Sequence, residues 1–402
     1  MKPLSIEDIL PHNKKIFAQE SVQQSEWVII SKLLNYSINW LVTVLGSSSE
    51  LFLLKSFNYE DFDLRNVQGE EVFGVFAYFD SQKLNEMLAT LENSVEYVMV
   101  YNKCLELVHQ EVDLMKGEIY SRMPGKYVFC WTFNDHEMFR ELHSEAEFKE
   151  KKSIYVMAKT ELAITAITSA LFKLRVYLRN YTYRVHDKLY FNIQGLVSFS
   201  IHSGWAVKGP VGGFQKVDIG VTGKVIQELK YLCTLCPSYE VDVVITTAVQ
   251  ELLSRQTKLM LYPIDKVLIP EEDAPTQTKG MKIYTVQLHE RLIQGFEITS
   301  LDSNFVIFKK SRDEKMIYRR MLKRDCYLAI LKPSLGKYIV QDPEVHAEYL
   351  KAYQAARRKQ GEIAESYLID IISKVRTTFK PADILQQYLN NYKKNSPNRK
   401  PA

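Results

Sequence analysis

The stretch Phe199-Ser-Ile-His-Ser-Gly-Trp-Ala-Val-Lys-Gly-Pro-Val-Gly-Gly213-Phe-Gln-Lys-Val-Asp218 decides how this chain is read. Val197 to Ile201 is short, apolar and β-favouring, and Gly213 to Val217 resumes the same texture. Between them Gly204, Gly209 and Gly212 recur among small and polar residues. Glycines set in such a segment mark places where backbones turn or approach closely, so the spacing predicts a strand, a glycine-rich connection and a second strand.

Working outward, Val72-Phe-Gly-Val-Phe-Ala-Tyr-Phe79 has no polar interruption, as a central strand buried on both faces requires. A helix is expected from about Glu92 to Lys116, with Val95, Val98, Met99, Asn102, Leu105 and Val108 on its apolar face and Gly117 ending it. Two β-like runs, Glu118 to Met123 and Tyr127 to Phe133, are joined by the tight-turn dipeptide Pro124-Gly125. A polar insertion, Asn134 to Lys152, precedes a helix from Ile154 to about Leu178. Beyond the opening stretch come a helix from about Thr222 to Leu235, a strand from Val241 to Thr246, and strand-like segments near Leu259 to Leu268 and Met281 to Leu288. The acidic segment Ile269 to Gly280 reads as a solvated loop. This alternation is that of a ferredoxin-like α/β sandwich with additions, an α+β arrangement.

Composition excludes some functions. The 402 residues carry 52 Lys and Arg against 48 Asp and Glu, a net charge of +4 with the signs interleaved, unlike a nucleic-acid binder with its basic face. Five cysteines, an odd and scattered set, follow an N-terminus without signal-peptide features, so a reduced cytoplasmic compartment is expected. Cys233 and Cys236 form a Cys-x-x-Cys with no second ligand pair at zinc spacing, and read as two thiols one helical turn apart. Trp27 to Leu45 approaches the length of a membrane span, but Lys32, Asn35, Ser37 and Asn39 interrupt it, while Trp27, Ile30, Leu34, Ile38 and Leu41 recur as one helical face. No membrane span is expected. Three regions follow: an N-terminal helical extension over 1–66, the α/β domain over 67–290 and a helical C-terminal region over 291–402. The last holds a TPR-like helix pair, His346 to Lys359 and Glu362 to Lys374, then a helix opened by Pro381 and running through Tyr388. Its basic end, with Lys393, Lys394, Arg399 and Lys400, is expected to be disordered. The helix pair either offers a groove to a partner or packs on its own domain.

In the opening stretch His202, Gly204, Ala206, Gly209 and Gly212 follow a His-x-Gly-x-Ala-x-x-Gly-x-x-Gly pattern. This resembles the strand-loop-strand of class III adenylyl and guanylyl cyclases, and Trp205, Phe214, Lys216 and Asp218 resemble its protist branch. Gly69 to Asp80 is similar to the strand ending in that family's first metal aspartate, Val128 to Phe133 to the strand after the second, and Ile283 to Val286 to the closing strand. Tyr353, Gly361, Ala364, Pro381 to Leu385 and Tyr388 resemble the helical tail of ciliate and other protist members. The resemblance implies a cyclase-homology domain that pairs with another cyclase-like chain.

It also implies a composite active site of two metal-binding aspartates, a base-reading pair, and an Asn and Arg at the transition state. Asp80 matches the first aspartate. Gly125 falls on the second, followed by Lys126, which would repel a cation. Ser121 takes the base-reading position and Gly220 its partner's; Gln227 falls on the Asn and Tyr231 on the Arg. One carboxylate does not clamp two divalent ions, and a tyrosine is no substitute for a guanidinium fork. The expected protein is a non-catalytic scaffold or regulatory subunit without a cofactor of its own, keeping Asp80 as a vestige. A ciliary axonemal complex, reached through the helical tail, is the setting the protist resemblance suggests. Two alternatives stay open: a soluble cyclase that uses Mg or Mn with ATP or GTP only beside a partner chain, and a nucleotide sensor without turnover. A one-residue shift of the correspondence would instead give Lys126 or Lys224 a phosphate-binding role. His202 and His109 read as satisfied core histidines.

Overall fold

The computed structural model describes residues 69–89, 94–123, 125–133, 145–185, 195–213, 216–271, 274–288, 342–375 and 379–395. The expectations for the N-terminal extension, and for Arg399 and Lys400, lie outside these residues. In chain order the α/β part runs β1 (Glu70–Asp80), α1 (Gln82–Leu88), α2 (Ser94–Leu114), β2 (Glu118–Met123), β3 (Lys126–Thr132), α3 (Glu145–Val185), β4 (Ser198–Gly213), β5 (Lys216–Thr222), α4 (Lys224–Leu235), β6 (Val243–Thr246), α5 (Thr247–Leu252), α6 (Arg255–Lys258), β7 (Leu261–Glu271) and β8 (Ala274–Val286). The expected α/β class is the one observed. Strands pair in the order β2-β3-β1-β4-β6-β8-β7, with β5 on β4. Lys208–Gly220, with Gly69 and Glu70, falls in one compact unit, and Glu71–Val207 and Val221 onward in the other.

The core of the second unit explains the sheet order. β1 is buried on both faces as its unbroken apolar run requires. Val75, Ala77 and Phe79 pack with Phe129, Trp131, Phe199 and Ile201 beneath α2 and α3. Within α3, Ser153–Arg179 is long and apolar enough to cross a membrane, yet 83% of its most apolar window is buried inside this fold. On α2 the buried stripe is Val100, Cys104, Leu107, Val108 and Val112, whereas Val95, Val98 and Met99 are exposed. The mixed three- and four-residue spacing was compatible with either stripe; the one that meets α3 and the sheet is buried.

Three sequence expectations need correction. The glycine-rich connection is itself strand: β4 runs unbroken through Gly204, Gly209 and Gly212. Glycines thin a strand for close neighbours as well as turning it, with Gly204 facing Val225 and Gly209 facing Gly69. The insertion 134–152 contributes the first turns of α3 from Glu145. Most of the loop 269–280 belongs to the β7-β8 hairpin, in register from Leu261↔Val286 to Pro270↔Thr278.

The C-terminal helices are α7 (Pro343–Arg357), α8 (Gly361–Val375) and α9 (Lys380–Asn395), so Lys393 and Lys394 lie within a helix. Asp342 caps α7 by accepting the Glu344 amide at 2.9 Å. The helices pack on β7, which ends the sheet. Tyr262 sits between His346, Tyr349 and Phe379. Two β7 carbonyls are satisfied from α7: His346 Nε2 donates to Leu261 at 3.1 Å, and the Tyr349 hydroxyl donates to Pro263 at 2.7 Å. An edge strand left bare is a template for further pairing, so this cover closes the sheet.

Candidate functional site

The strand register builds the site around Asp80. β1 and β3 are antiparallel with Asp80 opposite Lys126, so the end of one strand meets the start of the other. The Lys126 ammonium lies 3.3 Å from Asp80 Oδ2. Asp80 Oδ1 accepts the Gln82 amide at 2.8 Å, at the start of α1. Both carboxylate oxygens therefore have a partner within the chain.

The turn at position 125 is built without a side chain. Gly125 has φ +79°, the left-handed region that costs a residue with a Cβ. Its carbonyl accepts both the Ser81 amide and the Ser81 hydroxyl, each at 3.0 Å. Ser81 Oγ also lies 3.0 Å from the Tyr101 hydroxyl of α2. A Cβ at position 125 would meet Tyr101 Oη at 2.8 Å and Ser81 Oγ at 2.9 Å. β1, α2 and the β2-β3 turn are thereby tied together where the resembled family holds metal. The residues present do not fit two divalent ions: one carboxylate is offered, and an ammonium leans on it. Among the described residues no group of three or more His, Cys, Asp and Glu side chains is arranged for a metal ion.

The other sequence-derived positions lie elsewhere. Ser121 is in β2 opposite Tyr127, next to an irregularity before Met123. Gly220 is in β5. Gln227 and Tyr231 are one turn apart on α4; Gln227 is exposed, and the Tyr231 hydroxyl reaches the Leu268 carbonyl at 3.4 Å. Asp80 is thus not brought together with these α4 positions by any contact within the described chain. Ala206 is buried.

His202 is a bonded core residue. Its Nε2 donates to Glu228 Oε2 at 2.8 Å, and its Nδ1 is hydrogen-bonded to the Thr246 hydroxyl, also at 2.8 Å. Neither nitrogen remains for a ligand. His109 differs from expectation in one respect: its ring stands edge-on to Tyr127 at 4.8 Å, but Nε2 has no hydrogen-bond partner. Burial pushes its pKa down to about 4. Cys233 and Cys236 are free and buried, and donate to the carbonyls of Ser198 at 3.5 Å and Phe199 at 3.4 Å. Their mutual hydrogen bond and burial raise the Cys233 pKa well above the ordinary thiol value, which suits inert structural thiols.

Sequence reading missed two features. The Ser81-Tyr101-Gly125 tie joins residues 20 and 44 positions apart, and only the hairpin register signals it. A cleft of about 700 Å³ beside α4 draws its residues from five separate elements, and no local motif announces it.

No protein-family model and no curated protein matches the sequence. Solved structures to which the chain is similar include a bacterial light-regulated adenylyl cyclase, 12% identical with a TM-score of 0.46, covering 68% of this chain and 67% of that one. The adenylyl cyclase CyaB from P. aeruginosa is 13% identical, with a TM-score of 0.40 over 56% of this chain and 98% of its own. The dimeric guanylyl cyclase domain of the RhoGC fusion protein from the aquatic fungus Blastocladiella emersonii is 9% identical, with a TM-score of 0.32 over 55% of this chain and 96% of its own.

Proposed function

We propose that the chain is a non-catalytic member of the nucleotidyl cyclase fold group, serving as a structural or regulatory subunit that pairs with another cyclase-like chain. The observation that carries this reading is the Lys126 ammonium 3.3 Å from Asp80, beside a left-handed Gly125. Cyclisation in the resembled family drives a ribose hydroxyl onto the α-phosphate with two metal ions neutralising the developing charge. Here the corresponding carboxylate is already paired with a lysine of the neighbouring strand β3. Tyr231, where the resemblance places a guanidinium, supplies a neutral hydroxyl hydrogen-bonded to Leu268. The setting we propose, from the resemblance to protist members, is cytoplasmic and axonemal.

The test is turnover. The purified chain, incubated with manganese and ATP or GTP, should form no more cyclic nucleotide than Asp80→Ala. Product above that control would overturn the reading and support a cyclase, and so would product formed only after a cyclase-like partner is added and lost again in Asp80→Ala. Co-purification from cilia should return a partner chain; a monodisperse monomer with none would sink the subunit role.

A further inference from the structure

The cleft beside α4 lies far from Asp80. Ser203 lines it and donates to the Gly74 carbonyl at 3.0 Å. Asp80 is six residues further along β1, roughly 20 Å at ~3.3 Å per residue. Trp205, Lys224, Val225, Lys266, Met281 and Lys282 give the cleft its character.

Charge there is arranged against its own strand pairing. Lys266 and Lys282 are directly opposite on β7 and β8, where like charges repel. Neither has an ion-pair partner among the described residues, and Lys224 lines the same cleft. The Lys266 stem crosses Gly280 so closely that a Cβ there would stand 2.5 Å from its Cε, so the glycine admits this path for the lysine. Of the two carboxylates lining the cleft, Glu228 is bonded to His202, and Glu251 is the other. Trp205, its ring tilted against Phe73 with centroids 5.1 Å apart, is still 64% exposed.

Three lysines beside an exposed tryptophan and the apolar Val225 and Met281 suit a ligand with both carboxylates and an apolar side chain. No arginine lines the cleft, whose lysines are point charges without a planar fork for phosphate. Tryptophan is a frequent interface anchor, and charges around it set partner choice and encounter rate. We propose that this cleft docks an acidic segment of a partner protein, with its carboxylates over Lys266 and Lys282 and an apolar side chain against Trp205. This adds a partner class to the non-catalytic reading, and the two fail separately because turnover is measured without the peptide.

The experiment is fluorescence anisotropy on the full chain with a labelled peptide of alternating Glu and Leu, its Lys-for-Glu counterpart, and unlabelled inorganic triphosphate as competitor. The acidic peptide should bind and the basic one should not, with affinity falling as salt rises. Affinity should drop at least about tenfold in Lys266→Glu/Lys282→Glu and in Trp205→Ala, as for charge and anchor losses at an interface. Lys266→Gln/Lys282→Gln, less demanding on folding, should give a smaller loss in the same direction, and Lys351→Glu on α7 none. Absence of binding, or equal binding by the folded lysine variants, overturns the proposal. So does displacement by triphosphate with an affinity that survives Trp205→Ala, which would make this a phosphate site.

Discussion

Replacing Gly125 with aspartate puts back the side chain that the resembled family has at this turn, and the local geometry sets the consequence. A φ of +79° costs a residue with a Cβ about 1 kcal/mol, aspartate tolerating it better than most. The new Cβ would lie 2.8 Å from Tyr101 Oη and 2.9 Å from Ser81 Oγ. That pair must separate, at a loss of about 1 kcal/mol for the hydrogen bond. Attraction between the new carboxylate and the Lys126 side chain, 30% exposed, returns less than ~1 kcal/mol. The net is a destabilisation of about 1–2 kcal/mol, or a Tm lower by about 4 °C at ~2–4 °C per kcal/mol. Thermal and urea unfolding would measure it, with and without manganese. Tyr101→Phe removes the closer obstacle, so Gly125→Ala should cost about 1 kcal/mol less in that background. A Gly125→Asp protein as stable as its parent, or one whose midpoint rises several degrees with manganese, would refute this account of the turn.

Three further outcomes are expected. His109 is held neutral by burial with its pKa at about 4, so the unfolded chain binds the extra proton first. Stability should therefore decline as pH falls from about 6.5 to 4, by about 3 kcal/mol from this group, and His109→Phe should flatten that part of a urea-midpoint profile. Asp242 accepts from Arg175 of α3 and, at 2.6 Å, from the Gly195 amide. Asp242→Ala strips a part-buried guanidinium of this partner and should cost about 3 kcal/mol in equilibrium unfolding, a loss below ~1 kcal/mol counting against the pair as a structural tie. Tyr349→Phe removes the hydroxyl that donates to Pro263 from inside the tail cluster and should cost about 1 kcal/mol; faster amide exchange in α7 than in β1 would localise the effect.

The parts legible in the sequence were those whose signal is local. The unbroken apolar run of β1 declared a strand buried on both faces, and Gly125 declared a turn. Lys126 was identifiable as a cation beside that turn, but its contact with Asp80 required the β1-β3 register, which pairs residues 46 positions apart. Where local signals mislead, packing is the cause. Glycines at 204, 209 and 212 suggest a loop, yet β4 passes through them, and at 204 and 209 neighbouring chain takes the space a side chain would need. The apolar first turn of α2 suggests core, yet Val95 and Met99 are exposed and a cleaner stripe four residues on is buried. The helix pair showed the same ambiguity from the other side: its amphipathic faces suited a partner groove or an internal contact equally. Tyr262 decides it, a β7 side chain whose burial depends on Tyr349 and Phe379 of the tail. With that inner face used on its own sheet, recognition by this part of the chain has to use other surfaces. The α4 cleft, where Lys266 and Lys282 face one another across β7 and β8 with no ion-pair partner among the described residues, is the surface whose chemistry most calls for a partner.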